Sequence, residues 1–81
     1  MKVKVNIGLK KGVLDPQGKT VFHALKSLSF NEVKNVRIGK QIVLDIDNDD
    51  PIEIKNMVSK MSEELLANTV IEDYEIILED D

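Results

Sequence analysis

Residues 2 to 9 alternate without a break, with Val3, Val5, Ile7 and Leu9 set against Lys2, Lys4, Asn6 and Gly8. A period of two is the pattern of a strand with one buried and one wet face, so the rest of the chain must supply a layer that covers the apolar side. Two stretches can do so. Val21, Leu25 and Leu28, with Phe22 alongside, follow three- and four-residue spacing, as do Ile54, Met57, Val58, Met61 and Leu65; each predicts a helix that buries one stripe. The methionines of the second stripe read as gap-fillers rather than ligands. Tyr74, Ile76 and Leu78 restore the strand period at the end. The order is strand, helix, long strand or hairpin, helix, strand. That defines an α+β fold, a small antiparallel sheet with two helices on one face, ferredoxin-like in outline.

The middle of the chain supports two readings. From Val36, the positions Ile38, Ile42, Leu44 and Ile46 keep even parity across Gly39-Lys40. Unbroken parity favours one long strand over residues 33–47, bent or bulged near Gly39 and Lys40. A hairpin turning on Gly39-Lys40 would instead send Ile42 and Leu44 to the face opposite Ile38. Either version gives a central element longer than a small sheet needs, and an overhanging strand invites pairing with a second copy.

The segment Lys11-Gly12-Val13-Leu14-Asp15-Pro16-Gln17-Gly18-Lys19-Thr20 specifies its backbone path closely. Gly12 and Gly18 permit positive φ or a close approach of another segment, and Pro16 fixes its own φ and extends Asp15. Asp15 then caps a helix whose first position is Pro16. Gly18-Lys19-Thr20 at a helix start suits an anion, but Gly12 lies one residue too far upstream for a phosphate-binding loop. A similar cap recurs at Asp50-Pro51, with Glu53 as the capping-box carboxylate. The preceding Asp45-Ile46-Asp47-Asn48-Asp49 imitates the opening of a calcium loop. It fails at the sixth position, Asp50 in place of Gly, and at the twelfth, Asn56 in place of Glu.

Charge is unevenly placed. Residues 1 to 40 carry nine Lys or Arg against Asp15 and Glu32, a balance of +7, whereas residues 41 to 81 carry Lys55 and Lys60 against thirteen acids, a balance of −11. If the last strand lies beside the first, Lys2 and Lys4 face Glu75 and Glu79, each exposed pair contributing a few tenths of a kcal/mol. The outer face then carries Lys2, Lys4, Asn6 and Glu75, interrupted by Val43 and Ile77. Strand pairing accounts for the basic start better than nucleic acid does, because the aromatics Phe22, Phe30 and Tyr74 are not interleaved with basic residues. No apolar run is long enough for a membrane span or a signal peptide.

The chain of 81 residues reads as a single domain, residues 1–81, burying only about 60–65% of its unfolded surface. It has no cysteine, which is compatible with a reducing cytoplasm and leaves oligomerisation as the usual aid to a small core. A homodimer or a higher assembly is expected. There is no nucleophile with a base and no metal-ligand constellation. His23 lies off the apolar stripe without a partnered acid and reads as surface. The residues alone leave two functional classes: a framework or assembly protein, and a small-molecule regulatory domain of the ferredoxin-like or ACT type.

Several ordered motifs carry a resemblance. They are Gly12-Val13-Leu14-Asp15-Pro16-Gln17-Gly18, Thr20-Val21-Phe22-His23-Ala24-Leu25, Leu28-Ser29-Phe30, Val36-Arg37-Ile38-Gly39-Lys40 and Ile71-Glu72-Asp73-Tyr74-Glu75-Ile76. Together they span essentially the whole chain, which resembles the PurS subunits of phosphoribosylformylglycinamidine synthase. Two positions depart from the family pattern, Ser29 where Gly usually follows the first helix and Thr69 where Pro is frequent. The resemblance implies a non-catalytic subunit joining an ATP-using synthetase subunit to a glutaminase subunit and helping ammonia pass between them. ATP, magnesium and glutamine would be used by the complex, with no cofactor in this chain. The docking loop would be Gly12, Asp15, Pro16, Gln17, Gly18 and Lys19, with no partnership with nucleic acid or membrane.

Overall fold

The computed structural model describes residues 1–79, and the chain runs β1 (Lys2–Leu9), α1 (Pro16–Ser27), β2 (Gly39–Asp45), α2 (Pro51–Met61), a π-helical turn (Ser62–Leu66) and β3 (Glu72–Glu79). The strands form one antiparallel sheet in the order β2-β1-β3. β1 is the central strand, paired on both edges, and its inward side chains Val3, Val5 and Ile7 are 0%, 0% and 3% exposed. Val3 stands between Leu44 and Leu78, Val5 between Ile42 and Ile76, and Ile7 beside Tyr74. Those side chains meet Ile54, Val58 and Ala67 of the α2 region to make the core.

The other face of the sheet is wet. Lys4 lies between Val43 and Ile77 in register and its ammonium reaches Glu79 at 2.8 Å, while Val43 stays 54% exposed. Lys2 is opposite Glu79, but Glu75 is opposite Asn6, not a lysine. Gln41 Nε2 donates to Asn6 Oδ1 across β1 and β2 at 2.7 Å.

The central segment is neither of the two expected forms. β2 begins at Gly39, and Gly39 and Lys40 pair with Gly8 and Ile7 of β1, so they make neither a hairpin turn nor a bend in a longer strand. Residues 33–38 are outside the sheet, because the Ile38 N–H is donated to the Asp15 carboxylate and Arg37 reaches back to the loop before α1. Gly39 is needed for a close approach: a Cβ there would lie 2.8 Å from the Ile7 carbonyl oxygen. Since β2 has seven residues, all paired with the eight-residue β1, the expected strand overhang is absent.

Both helices start on the foreseen Asp-Pro pairs. Asp50 accepts from the N–H groups of Ile52 at 3.0 Å and Glu53 at 3.5 Å. The Asp50 N–H goes to Asn48 Oδ1 at 2.8 Å, so Asn48 takes the place expected of the Glu53 carboxylate. The stripe of α2 runs through Ile54, Val58 and Ser62 to Leu66, not through Leu65, which is 83% exposed. The cause is the π turn: the Ala67 N–H bonds to Ser62 O, five residues back, and the wider turn brings Leu66 round to the sheet. Ser62 is buried without penalty because its hydroxyl donates to Val58 O at 2.8 Å.

α1 departs most from expectation. Of its residues only Gly18 is buried; Val21 is 38% exposed and Leu28, the residue that caps its end, is 67% exposed. The helix packs closely against no strand and not against α2. It ends in a Schellman motif, with Ser29 N–H on Lys26 O and Phe30 N–H on Leu25 O, both at 3.0 Å. That motif puts Ser29 at φ +72°, a left-handed position that glycine occupies more readily, which is where the sequence departs from the family pattern. The helix and the segment that follows it extend the molecule to 48 Å, and the radius of gyration is 16.0 Å against about 12 Å for a compact domain of this length.

Candidate functional site: the loop before the first helix

The chain leaves β1 through Lys10, whose N–H bonds to Ile71 O at 2.8 Å, and turns where Val13 N–H meets Lys10 O at 3.1 Å. Gly12 makes this turn at φ +90°, which a side chain would strain. Asp15 then arrives at the head of α1 only 5% exposed. Its Oδ1 accepts from Gly18 N at 2.8 Å, and its Oδ2 accepts from Ile38 N at 2.8 Å. One carboxylate therefore both caps the helix and ties it to a segment 23 residues away. Arg37 completes the tie, donating through Nη1 to Val13 O at 2.9 Å and through Nη2 to Lys10 O at 3.2 Å.

Electrostatics agree with this geometry. The Ile38 amide first, and then the Gly18 amide, hold the Asp15 carboxyl below its ordinary value; burial opposes them, while Arg37 and the Gln17 amide assist. Gly18 has no room for a side chain, since a Cβ would meet Val36 O at 2.5 Å and Asp15 Oδ2 at 2.6 Å.

The loop thus divides into two parts. Gly12, Asp15 and Gly18 serve the chain's own architecture, and Pro16, Gln17 and Lys19 are exposed. The Asp15 carboxylate already occupies the helix N-terminus that an anion would use, and the Thr20 hydroxyl donates to Pro16 O at 3.0 Å. Gln17 and Lys40 share the wall of a hollow of about 200 Å³ with Asp15, Ile38 and Gly39. His23 is exposed, with its ring 5.7 Å from that of Phe22, over which Lys26 lies at 5.3 Å. Sequence reasoning missed Arg37 and the Ile38 amide as partners of the loop. Their signal was the arginine two places before Gly39, in a segment read as strand.

Apolar side chains are open at both ends of α1: Leu14 in the loop is 63% exposed, and Leu28 and Phe30 beyond the C-terminal end are 67% and 56% exposed. The loop therefore offers shape, an amide, an ammonium group and apolar surface, which is the equipment of a framework or docking protein.

Comparison with known proteins narrows the class. The family model PurS, described as phosphoribosylformylglycinamidine (FGAM) synthase, matches residues 2–80. The phosphoribosylformylglycinamidine synthase subunit PurS of Bacillus subtilis is 53% identical over 79 residues, covering 98% of this chain and 93% of that protein. The crystal structure of Methanocaldococcus jannaschii PurS superposes with a TM-score of 0.89 at 45% identity, covering 99% of this chain and 96% of its own. A chain of the Thermotoga maritima PurLQS structure gives 0.86 at 33% identity, covering 94% of this chain and 93% of that one. The chain belongs to the PurS family, and the ACT-type regulatory reading is not favoured.

Proposed function

We propose that this chain is the small assembly subunit of phosphoribosylformylglycinamidine synthase in purine biosynthesis. It bridges the ATP-dependent synthetase subunit and the glutaminase subunit and supports transfer of ammonia between them. ATP, magnesium and glutamine are used by those larger subunits, and this chain holds no cofactor and supplies no catalytic group. It acts in the cytoplasm. The observation that carries the reading is the likeness to a chain of PurLQS, an assembly of three kinds of subunit.

The surface supports an assembly role. The core is small, formed by Val3, Val5, Ile7, Ile54, Val58 and Ala67, and α1 leaves Val21 and Leu28 open. A second copy covering that face gives a homodimer or a higher assembly. Gln17 and Lys19, facing outward from a loop fixed by Asp15 and Gly18, meet one of the larger subunits.

The test is gel filtration of the chain mixed with both larger subunits, glutamine, magnesium and adenine nucleotide. The chain co-elutes with the two, and Gln17→Ala lowers that association while leaving the melting temperature unchanged. Elution of the wild-type chain apart from both would overturn the proposal.

A further inference from the structure

At about 100° per residue, α1 sorts its side chains into three strips. Gly18, Phe22 and Leu25 make the covered strip, buried or half-buried, with Gly18 against the Val36 carbonyl. Val21 and, at the cap, Leu28 stand on one side of it, the apolar side that a second copy covers. Lys19, His23 and Lys26 stand on the other. That basic side borders a hollow of about 290 Å³ lined by Lys19, Phe22, His23, Lys34, Asn35 and Val36. The half-buried Phe22 and Val36 give it apolar surface, and the other four residues are exposed.

The hollow gathers cations without acids. Elsewhere lysines meet carboxylates, Lys4 with Glu79 at 2.8 Å and Lys10 with Asp73 at 3.8 Å. Among the described residues, Lys19, Lys26 and Lys34 are in no ion pair. The two acids of residues 1 to 40 do not answer them: the Asp15 carboxylate is spent on the Gly18 and Ile38 amides, and Glu32 lines a different hollow with Ser29 and Phe30. Ammonium groups set together without a counter-charge raise the local positive potential and draw in an anion.

We propose that this hollow seats an acidic chain segment of one of the larger subunits, its carboxylates on Lys19 and Lys34 and an apolar neighbour on Phe22. The partner's identity rests on the assembly reading. A two-fold contact between copies centred here would set lysine against lysine, since such a contact brings the same patch to itself. The basic side of α1 therefore suits a different chain, and the apolar side suits a copy.

Lys19→Glu with Lys34→Glu reverses the hollow, and Lys55→Glu with Lys60→Glu, two exposed lysines of α2, makes the same change of net charge elsewhere. Both doubly substituted chains melt within about 3 °C of the wild type, as exposed substitutions do. With both larger subunits present, the chain concentration giving half-maximal glutamine-dependent synthesis rises about tenfold for the hollow pair and keeps its wild-type value for the α2 pair. Raising sodium chloride from about 50 to about 300 mM weakens the wild type more than the hollow pair. An unchanged value for the hollow pair, or an equal rise for the α2 pair, would overturn the site. Light scattering gives the isolated hollow pair the wild-type mass; a lower mass would make the acidic half of a second copy the occupant and remove the larger subunit from the hollow.

If the wild-type chain gives no stimulation, the assembly reading fails, and a short poly-glutamate peptide added to the isolated, isotope-labelled chain decides the hollow separately. Amide shifts centred on Lys19, His23 and Lys34 are expected. Shifts centred on Lys2 and Lys4, or none, would refute the hollow as a seat for acidic chain. Inorganic phosphate producing the same shifts at equal charge would make it a small-anion site and overturn the peptide occupant.

Discussion

Ile54 and Ile52 sit two residues apart on α2 and face opposite environments, 0% and 74% exposed, so the pair measures where the core lies. Ile54→Ala removes three carbons from contact with the β1 face. At about 0.8 kcal/mol per buried methylene the transfer loss is about 2.4 kcal/mol, and the residual cavity brings the total to roughly 3 kcal/mol. An unfolding entropy of about 2.1 cal/mol/K per residue gives about 170 cal/mol/K for a chain of this length, so the expected fall in Tm is about 18 °C. Ile52→Ala should cost no more than about 0.5 kcal/mol, or about 3 °C. The assay is thermal unfolding by circular dichroism at one fixed protein concentration, because self-association raises the apparent stability. Equal falls for the two variants, or a fall below about 6 °C for Ile54→Ala, would refute the placement of the core.

Three further outcomes follow from the same geometry. Ser29→Gly relieves a left-handed residue worth about 1 kcal/mol, partly offset by the greater freedom of glycine in the unfolded chain, so stability rises by roughly 0.5 kcal/mol; a decrease in urea unfolding would contradict the Schellman end. Leu28→Asp turns the exposed stripe of α1 against a second copy, and light scattering at micromolar concentration should give a monomer mass where the wild type gives a multiple; an unchanged mass would place the interface elsewhere. The folded pKa of Asp15 lies below its unfolded value, so its contribution is complete above about pH 4 and is lost as pH falls through the folded value. Acid should therefore release α1 amide protection below about pH 4 in the wild type but give no such step in Asp15→Asn, and an equal step in both would assign it to another carboxylate.

The elements that were legible in the sequence are those set by local rules. Alternation in Val3, Val5 and Ile7 marked the first strand, though not its central place in the sheet, and Asp15-Pro16 and Asp50-Pro51 marked both helix starts, because a cap is decided within three residues. Parity from Ile42 to Ile46 was read correctly, but its extension back through Ile38 was not. The Ile38 amide answers to Asp15, and bonds spanning 23 to 27 residues leave no periodic trace. Leu65 was placed inward by regular helical spacing, which a π turn after Met61 breaks. For α1, Val21 and Leu28 announced an apolar face, and spacing alone cannot say whether the cover is the chain's own sheet or another molecule. In the loop, glycine and proline signalled a fixed path, and only the structure separated Asp15 and Gly18, turned inward, from Gln17 and Lys19, turned out.

The central claim, a subunit that assembles without catalysing, is tested most directly by reconstituting synthesis of phosphoribosylformylglycinamidine from the two larger subunits, with and without this chain. Phosphate release from ATP is followed with glutamine and, separately, with ammonium as the nitrogen source. The account predicts that glutamine-dependent turnover requires the chain and that the chain alone turns over neither ATP nor glutamine. Full glutamine-dependent turnover in its absence, or hydrolysis of either substrate by the chain alone, would contradict it.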